Sequence, residues 1–137
     1  MNKRQEEMYM EMAEVVAKRS YAKRLQVGCL VVKDNRILSV GYNGTLPGDD
    51  NTCEHEKDGI LVTKPDVIHA EANAILKMAR DGQAAKDAVL FSTVLPCIDC
   101  SKMIVASGIK KVYWRNCYRS TDGMSFLFSH NIEVELI

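Results

Sequence analysis

The chain has 137 residues, 47% of them hydrophobic, and its eighteen Lys and Arg balance eighteen Asp and Glu. That size and composition predict a single domain over residues 1–137 with a real core. They argue against a disordered chain, and no apolar run approaches the ~18 residues of a membrane span. The charge balance argues against a protein that grips long nucleic acid, which needs a basic surplus on one face.

From about Gln5 to Arg19, Met8, Met12, Val15 and Val16 recur at helical spacing, which predicts an amphipathic helix with those residues in the core. The opening run, Met1 to Glu7, leads into this stretch and not into an apolar signal core. With five cysteines, two paired in a motif and three scattered, a reducing cytoplasmic setting is expected. Lys18, Arg19, Lys23 and Arg24 form a local basic cluster, as do Lys110 and Lys111; either could hold one phosphate.

Val27 to Val32 has the apolar, β-branched character of a strand, with Cys29 as a buried thiol. Asp34-Asn35 is a tight turn, and Arg36 to Tyr42 its hairpin partner. Asn43 to Pro65 is rich in Gly, Asp, Asn and Pro and is expected to be one long loop, functional or mobile. Ala72, Ile75, Leu76 and Ala79 mark a helical stripe that Asp81-Gly82 ends. Ala88 to Thr93 is a strand and Cys97 to Ser107 a helix stopped by Gly108. Lys111 to Arg115 is a strand, Gly123 to His130 a short helix and Ile132 to Leu136 a last strand. This order predicts a three-layer α/β/α domain around a central mixed five-stranded sheet.

The chemistry concentrates in His69-Ala70-Glu71 and Pro96-Cys97-Ile98-Asp99-Cys100. Zinc takes imidazole nitrogen and thiolate sulfur in a tetrahedral shell, and a catalytic site keeps one corner for water. His69, Cys97 and Cys100 can fill three corners, leaving Glu71 to carry protons to and from that water. Both motifs open helices, whose N-terminal N–H groups and dipole favour thiolate. Two other readings stay open at this point: a redox Cys-x-x-Cys pair, or a structural zinc site closed by Cys53, His55 or Cys117.

These two segments match the pattern of zinc-dependent deaminases. The chain resembles the cytidine deaminase-like superfamily, most closely its deoxycytidylate (dCMP) deaminase branch. The resemblance is carried further by Val27-Gly28, Gly41-Tyr42-Asn43-Gly44 with Pro47-Gly48, and Ser107-Gly108-Ile109-Lys110-Lys111. Tyr118-Arg119, Gly123 and Ile132-Glu133-Val134 add to it. It implies hydrolytic deamination of dCMP to dUMP with release of ammonia, supplying dUMP for thymidylate synthesis. It also implies that Asn43 holds the deoxyribose, Tyr118 lines the nucleotide pocket, and Ser20 and Arg24 serve the phosphate. The backbone at Ala70 is expected to position the ring.

Two rivals share the metal motif: a deaminase acting on a base in RNA or single-stranded DNA, and an inactive zinc-binding nucleotide sensor. The charge balance and the Gly-Tyr-Asn-Gly loop favour the mononucleotide, and the intact Glu71 favours catalysis. Members of the branch are commonly hexamers, activated by dCTP and inhibited by dTTP. The resemblance therefore implies a homo-oligomer with an effector segment at Gly41, Tyr42, Asn43, Gly44, Pro47 and Gly48, binding the triphosphate with Mg²⁺. Some members carry a second zinc; here Ala22 stands at one of its cysteine positions, so Cys53 and His55 alone are expected to hold a metal poorly.

Overall fold

The computed structural model describes residues 1–118 and 120–137; Arg119, part of the family resemblance, lies outside the described residues. The elements are α1 (Lys3–Ala17), β1 (Gly28–Lys33), β2 (Arg36–Tyr42), β3 (Glu54–Lys57), β4 (Ile60–Thr63), α2 (Ala70–Arg80), β5 (Val89–Val94), α3 (Ile98–Ala106), β6 (Lys111–Asn116), α4 (Asp122–Ser129) and β7 (Glu133–Leu136). Five strands form a mixed sheet in the order β2-β1-β5-β6-β7. β1 runs antiparallel to β2 and β5, and β5, β6 and β7 are mutually parallel, as expected where a helix returns each strand.

Alternation along β1 and β5 builds two cores. Leu30, Val32, Val89 and Phe91 face α1, where they meet Tyr9, Met10 and Ala13. Cys29, Val31 and Leu90 face the other way, against Ala74, Ile75 and Met78 of α2 and Ile104 of α3. The sheet is thus buried on both faces, and the three-layer α/β/α architecture predicted from the sequence is the one observed. Phe91 stacks on Tyr113 with centroids 4.6 Å apart, and Arg115 pairs with Glu7 and Glu14 at 2.6 Å, pinning α1 across the sheet.

Three expectations change. Three of the four residues predicted to bury α1 instead face outward: Met8, Met12 and Val15 are exposed, while Val16 packs against the core and Tyr9, Met10, Ala13 and Ala17 are buried. The helix has two apolar faces, and periodicity alone cannot choose between them. Close approach chooses: a Cβ on Gly28 would lie 2.0 Å from the Ala13 carbonyl oxygen, so the alanine face is the one that can sit on β1. In α2 half of the predicted stripe is buried: Ala72 and Ile75 lie in the core with Ala74 and Met78, while Leu76 and Ala79 are exposed.

The third change lies between residues 43 and 65, where the expected loop contains the β3–β4 hairpin. Asp58 and Gly59 both have positive φ, the conformation of a tight hairpin turn, and Asp-Gly is a strong signal for it. Glu54-His55-Glu56-Lys57 lacks apolar alternation, so the strand was invisible to a hydrophobic pattern. Among the described residues, no helix is long and apolar enough to cross a membrane.

Candidate metal and catalytic site

Two helix starts converge at the carboxyl end of β5. His69 is the N-cap of α2 and Cys97 the N-cap of α3; neither side chain caps its own helix, so both are available elsewhere. His69 Nδ1 lies 3.5 Å from Cys97 Sγ and 3.5 Å from Cys100 Sγ. A tetrahedral zinc bonded to nitrogen at ~2.05 Å and to sulfur at ~2.3 Å would require a separation of about 3.5 Å. The three ligand atoms lie within 4.8 Å of one another, so donor set and spacing both fit zinc. Among the described residues no fourth His, Cys, Asp or Glu joins this cluster. Cys53 is buried with its thiol directed at the Asn51 carbonyl, and His55 is exposed on β3; neither belongs to a metal-binding group among the described residues.

The three ligands are coupled to one another through hydrogen bonds. The Cys97 thiol is pulled down to about 3, first by its hydrogen bond with Cys100 and then by His69. Cys100 is pushed up by that same hydrogen bond, by burial and by Glu71. His69 is raised, chiefly by its hydrogen bond with Cys97, against the opposing effect of burial.

Glu71, in the first turn of α2, is 4% exposed. Burial raises its carboxyl pKa, opposed by hydrogen bonds from Cys100 and Ser92. The Ser92 hydroxyl is 2.9 Å from Glu71 Oε1 and 2.7 Å from the Val94 carbonyl oxygen. With one hydrogen to give, Ser92 can donate to a carboxylate at Glu71, or donate to Val94 and accept from a protonated Glu71. Sequence reasoning missed Ser92, although a polar residue on the same inward face as Leu90 is a visible irregularity in β5. Ser92→Ala is expected to lower kcat by roughly fivefold, the worth of one buried hydrogen bond, without loss of zinc. Steady-state kinetics with elemental analysis check this, and an unchanged kcat would make the bond idle.

Glu71, His69 and Cys97 line a cavity of about 360 Å³, within the range usual for small-molecule sites. Arg24, Asn43, Ala70 and Tyr118 line it as well. Asn43 Oδ1 accepts the Val27 N–H at 2.9 Å and its Nδ2 donates to the Leu25 carbonyl at 2.8 Å, so it braces the chain between Leu25 and Val27. One amide hydrogen remains beyond those two bonds. Ser20 does not line the cavity: it is buried behind it, donating to the Asn43 carbonyl at 2.7 Å. Its place is that of a support for Asn43. A Cβ on Gly123 would lie 2.0 Å from the Pro96 carbonyl, so glycine lets α4 pack directly on the step that carries Cys97.

Of the segment expected to bind effectors, only Asn43 reaches this cavity. Gly41 is buried under α2, where a Cβ would lie 2.4 Å from the Ala70 carbonyl oxygen. Gly44 pairs with Ile68 through two backbone hydrogen bonds of 3.1 and 2.8 Å, tying the segment to the residue before His69. Pro47 and Gly48 are exposed, and Tyr42 is half-buried.

A mixed five-stranded sheet with a His–Cys–Cys cluster and a buried glutamate at two helix starts defines a zinc-deaminase type of domain. The family model for the cytidine and deoxycytidylate deaminase zinc-binding region matches residues 3–116, and the chain belongs to that family. Among relatives, the deoxycytidylate deaminase of Mycobacterium phage D29 is 36% identical over 80% of this chain and 92% of its own. ComE operon protein 2 of Bacillus subtilis is 35% identical over 94% of this chain and 69% of its own. The Schizosaccharomyces pombe deoxycytidylate deaminase is 36% identical, and the match spans 36% of that longer protein. A crystal structure of dCMP deaminase from cyanophage S-TIM5 in complex with dCMP and dUMP superposes with a TM-score of 0.94 at 46% identity, covering 100% of this chain and 99% of that one.

Proposed function

We propose that this protein hydrolytically deaminates dCMP to dUMP and ammonia. The observation that carries the reading is a three-ligand cluster beside a buried carboxylate that is not a ligand, in one cavity of mononucleotide scale. A structural zinc site would be closed by a fourth protein ligand. The likeness to enzymes named as deoxycytidylate deaminases supports the choice of base and sugar.

Zinc held by His69 Nδ1 and the Cys97 and Cys100 sulfurs would lower the pKa of water to about 7. With zinc bound, Glu71 would take a proton from a water in the cavity and give it to N3 of the cytosine ring, which makes C4 electrophilic. Water oxygen adds at C4. Glu71 then takes the proton of the new C4 hydroxyl and delivers it to the 4-amino group; the C4–N bond breaks, the C4 carbonyl forms and ammonia leaves, so one group serves as base and acid. The Ala70 backbone borders the ring, Asn43 offers its remaining amide hydrogen to the deoxyribose, Tyr118 lines the nucleotide pocket and Arg24 takes the phosphate. Ammonia release from dCMP tests the reading.

Regulation and assembly complete the proposal. A triphosphate with Mg²⁺ at Gly41 to Gly44 and Pro47-Gly48 would act on a segment that contains Asn43 and is tied through Gly44 to Ile68, beside His69. A ligand shifts such an equilibrium only if it binds its two arrangements unequally. dCTP is expected to make the dCMP saturation curve less sigmoidal, and dTTP to lower activity without simple competition. Hyperbolic kinetics indifferent to both would remove this regulation and leave the catalytic assignment standing. The homo-oligomer, a hexamer by resemblance, would use the outward apolar groove between α1 and β2, lined by Met8, Met12, Val15, Ile37 and Val40.

A further inference from the structure

The β3–β4 hairpin, hidden in the sequence, holds a carboxylate with no part in the proton chemistry. Glu54 is 6% exposed and borders the same cavity as Glu71. Its Oε2 accepts two consecutive backbone N–H groups, from Lys23 at 2.8 Å and from Arg24 at 3.1 Å. Successive N–H groups on one anion make a strong, charge-assisted attachment. Directly across the hairpin, Thr63 is the register partner of Glu54. Thr63 Oγ1 accepts from Arg24 Nη1 at 2.9 Å. One rung of the hairpin therefore grips Arg24 by both its backbone and its guanidinium.

Nothing in the zinc site needs that rung. Beyond the bond to Thr63, the Arg24 guanidinium has further N–H groups to offer, and Arg24 lines the cavity. A guanidinium recognises an anion through its planar fork, so its orientation decides the strength of the contact. The backbone grip matters too, because the Lys23–Arg24 segment lies between α1 and β1 outside any helix or strand.

We infer that Glu54 and Thr63 are positioning residues that aim Arg24 at the 5′-phosphate of the substrate, making the hairpin the element that distinguishes a nucleoside monophosphate from a nucleoside. This rests on the proposed reading, in which Arg24 meets the phosphate. Glu54 also fills the paired N–H groups at 23 and 24 that would otherwise attract the phosphate away from the guanidinium. The phosphate is thereby held to one location relative to the ring.

The experiment compares kcat/KM for dCMP and for deoxycytidine in zinc-loaded wild type, Glu54→Ala, Glu54→Gln, Thr63→Val and Arg24→Gln. The dCMP-to-deoxycytidine ratio should fall by roughly tenfold or more in Glu54→Ala, the scale of a disturbed hydrogen bond to a charged group. The loss should sit in KM for dCMP and not in kcat. Glu54→Gln keeps an acceptor oxygen and should restore part of the ratio, while Thr63→Val should lower it by a smaller factor. If Glu54→Ala fails to fold, the Gln and Val variants carry the test. Equal losses on both substrates, or an undiminished ratio in Glu54→Ala and Thr63→Val beside a collapsed ratio in Arg24→Gln, would overturn the positioning role. An undiminished ratio in Arg24→Gln would overturn the phosphate role of Arg24, and with it this inference.

Discussion

Glu71→Gln is expected to leave the fold and the zinc in place while lowering turnover by at least about a hundredfold, the scale of general acid–base catalysis. The amide has the shape of the carboxylate, so it can occupy the same buried position beside Ser92. Its oxygen can still accept the Ser92 hydroxyl, now 2.9 Å from Oε1. What it cannot do is accept a proton at one moment and return it at another. Loss of turnover with full zinc content would therefore isolate proton transfer from metal binding. Near-normal turnover would contradict the role given to Glu71.

Cys97→Ala and Cys100→Ala are each expected to take zinc content from about one equivalent to almost none, since two ligands hold the ion poorly. Both substitutions should also lower the melting temperature, because the ion ties the start of α2 to the start of α3. Alanine fits both positions sterically: Cys100 is buried in the first turn of α3 and Cys97 is its N-cap. A fall in stability would thus report the metal and not a clash. Cys53→Ala should leave zinc at one equivalent, since the Cys53 thiol turns to the Asn51 carbonyl. Full zinc in both Cys97→Ala and Cys100→Ala would show the ligands to be misassigned.

The parts of this molecule legible in its sequence are those where residue type and spacing dictate geometry. Cys97 opens α3 directly after Pro96, and the three-residue spacing to Cys100 puts both sulfurs on one turn, while His69 opens α2 ahead of its apolar stripe. Asp34-Asn35 has positive φ at both residues, as a two-residue hairpin demands. The orientation of α1 was illegible because Met8, Met12 and Val15 are as apolar as Tyr9, Met10 and Ala13. The decision lies in the space over Gly28, a tertiary fact. Glu54 and Thr63 were illegible for a related reason: a short polar strand gives no hydrophobic pattern, and its partner in the cavity, Arg24, is 30 residues away. The Asn43-Gly44 pair drew attention to Asn43 in the sequence, but its place on the cavity wall and its bracing of Leu25 and Val27 are facts of the fold.

The measurement that tests the central claim most directly is ammonia release by the zinc-loaded protein from dCMP, dCTP, deoxycytidine, CMP and a cytosine-containing oligonucleotide at matched concentrations. The proposed function predicts the highest kcat/KM on dCMP, with dUMP formed in equal amount to ammonia. It also predicts that release is abolished when zinc is removed and restored when zinc is returned. Preference for the oligonucleotide, or undiminished release without zinc, would contradict it.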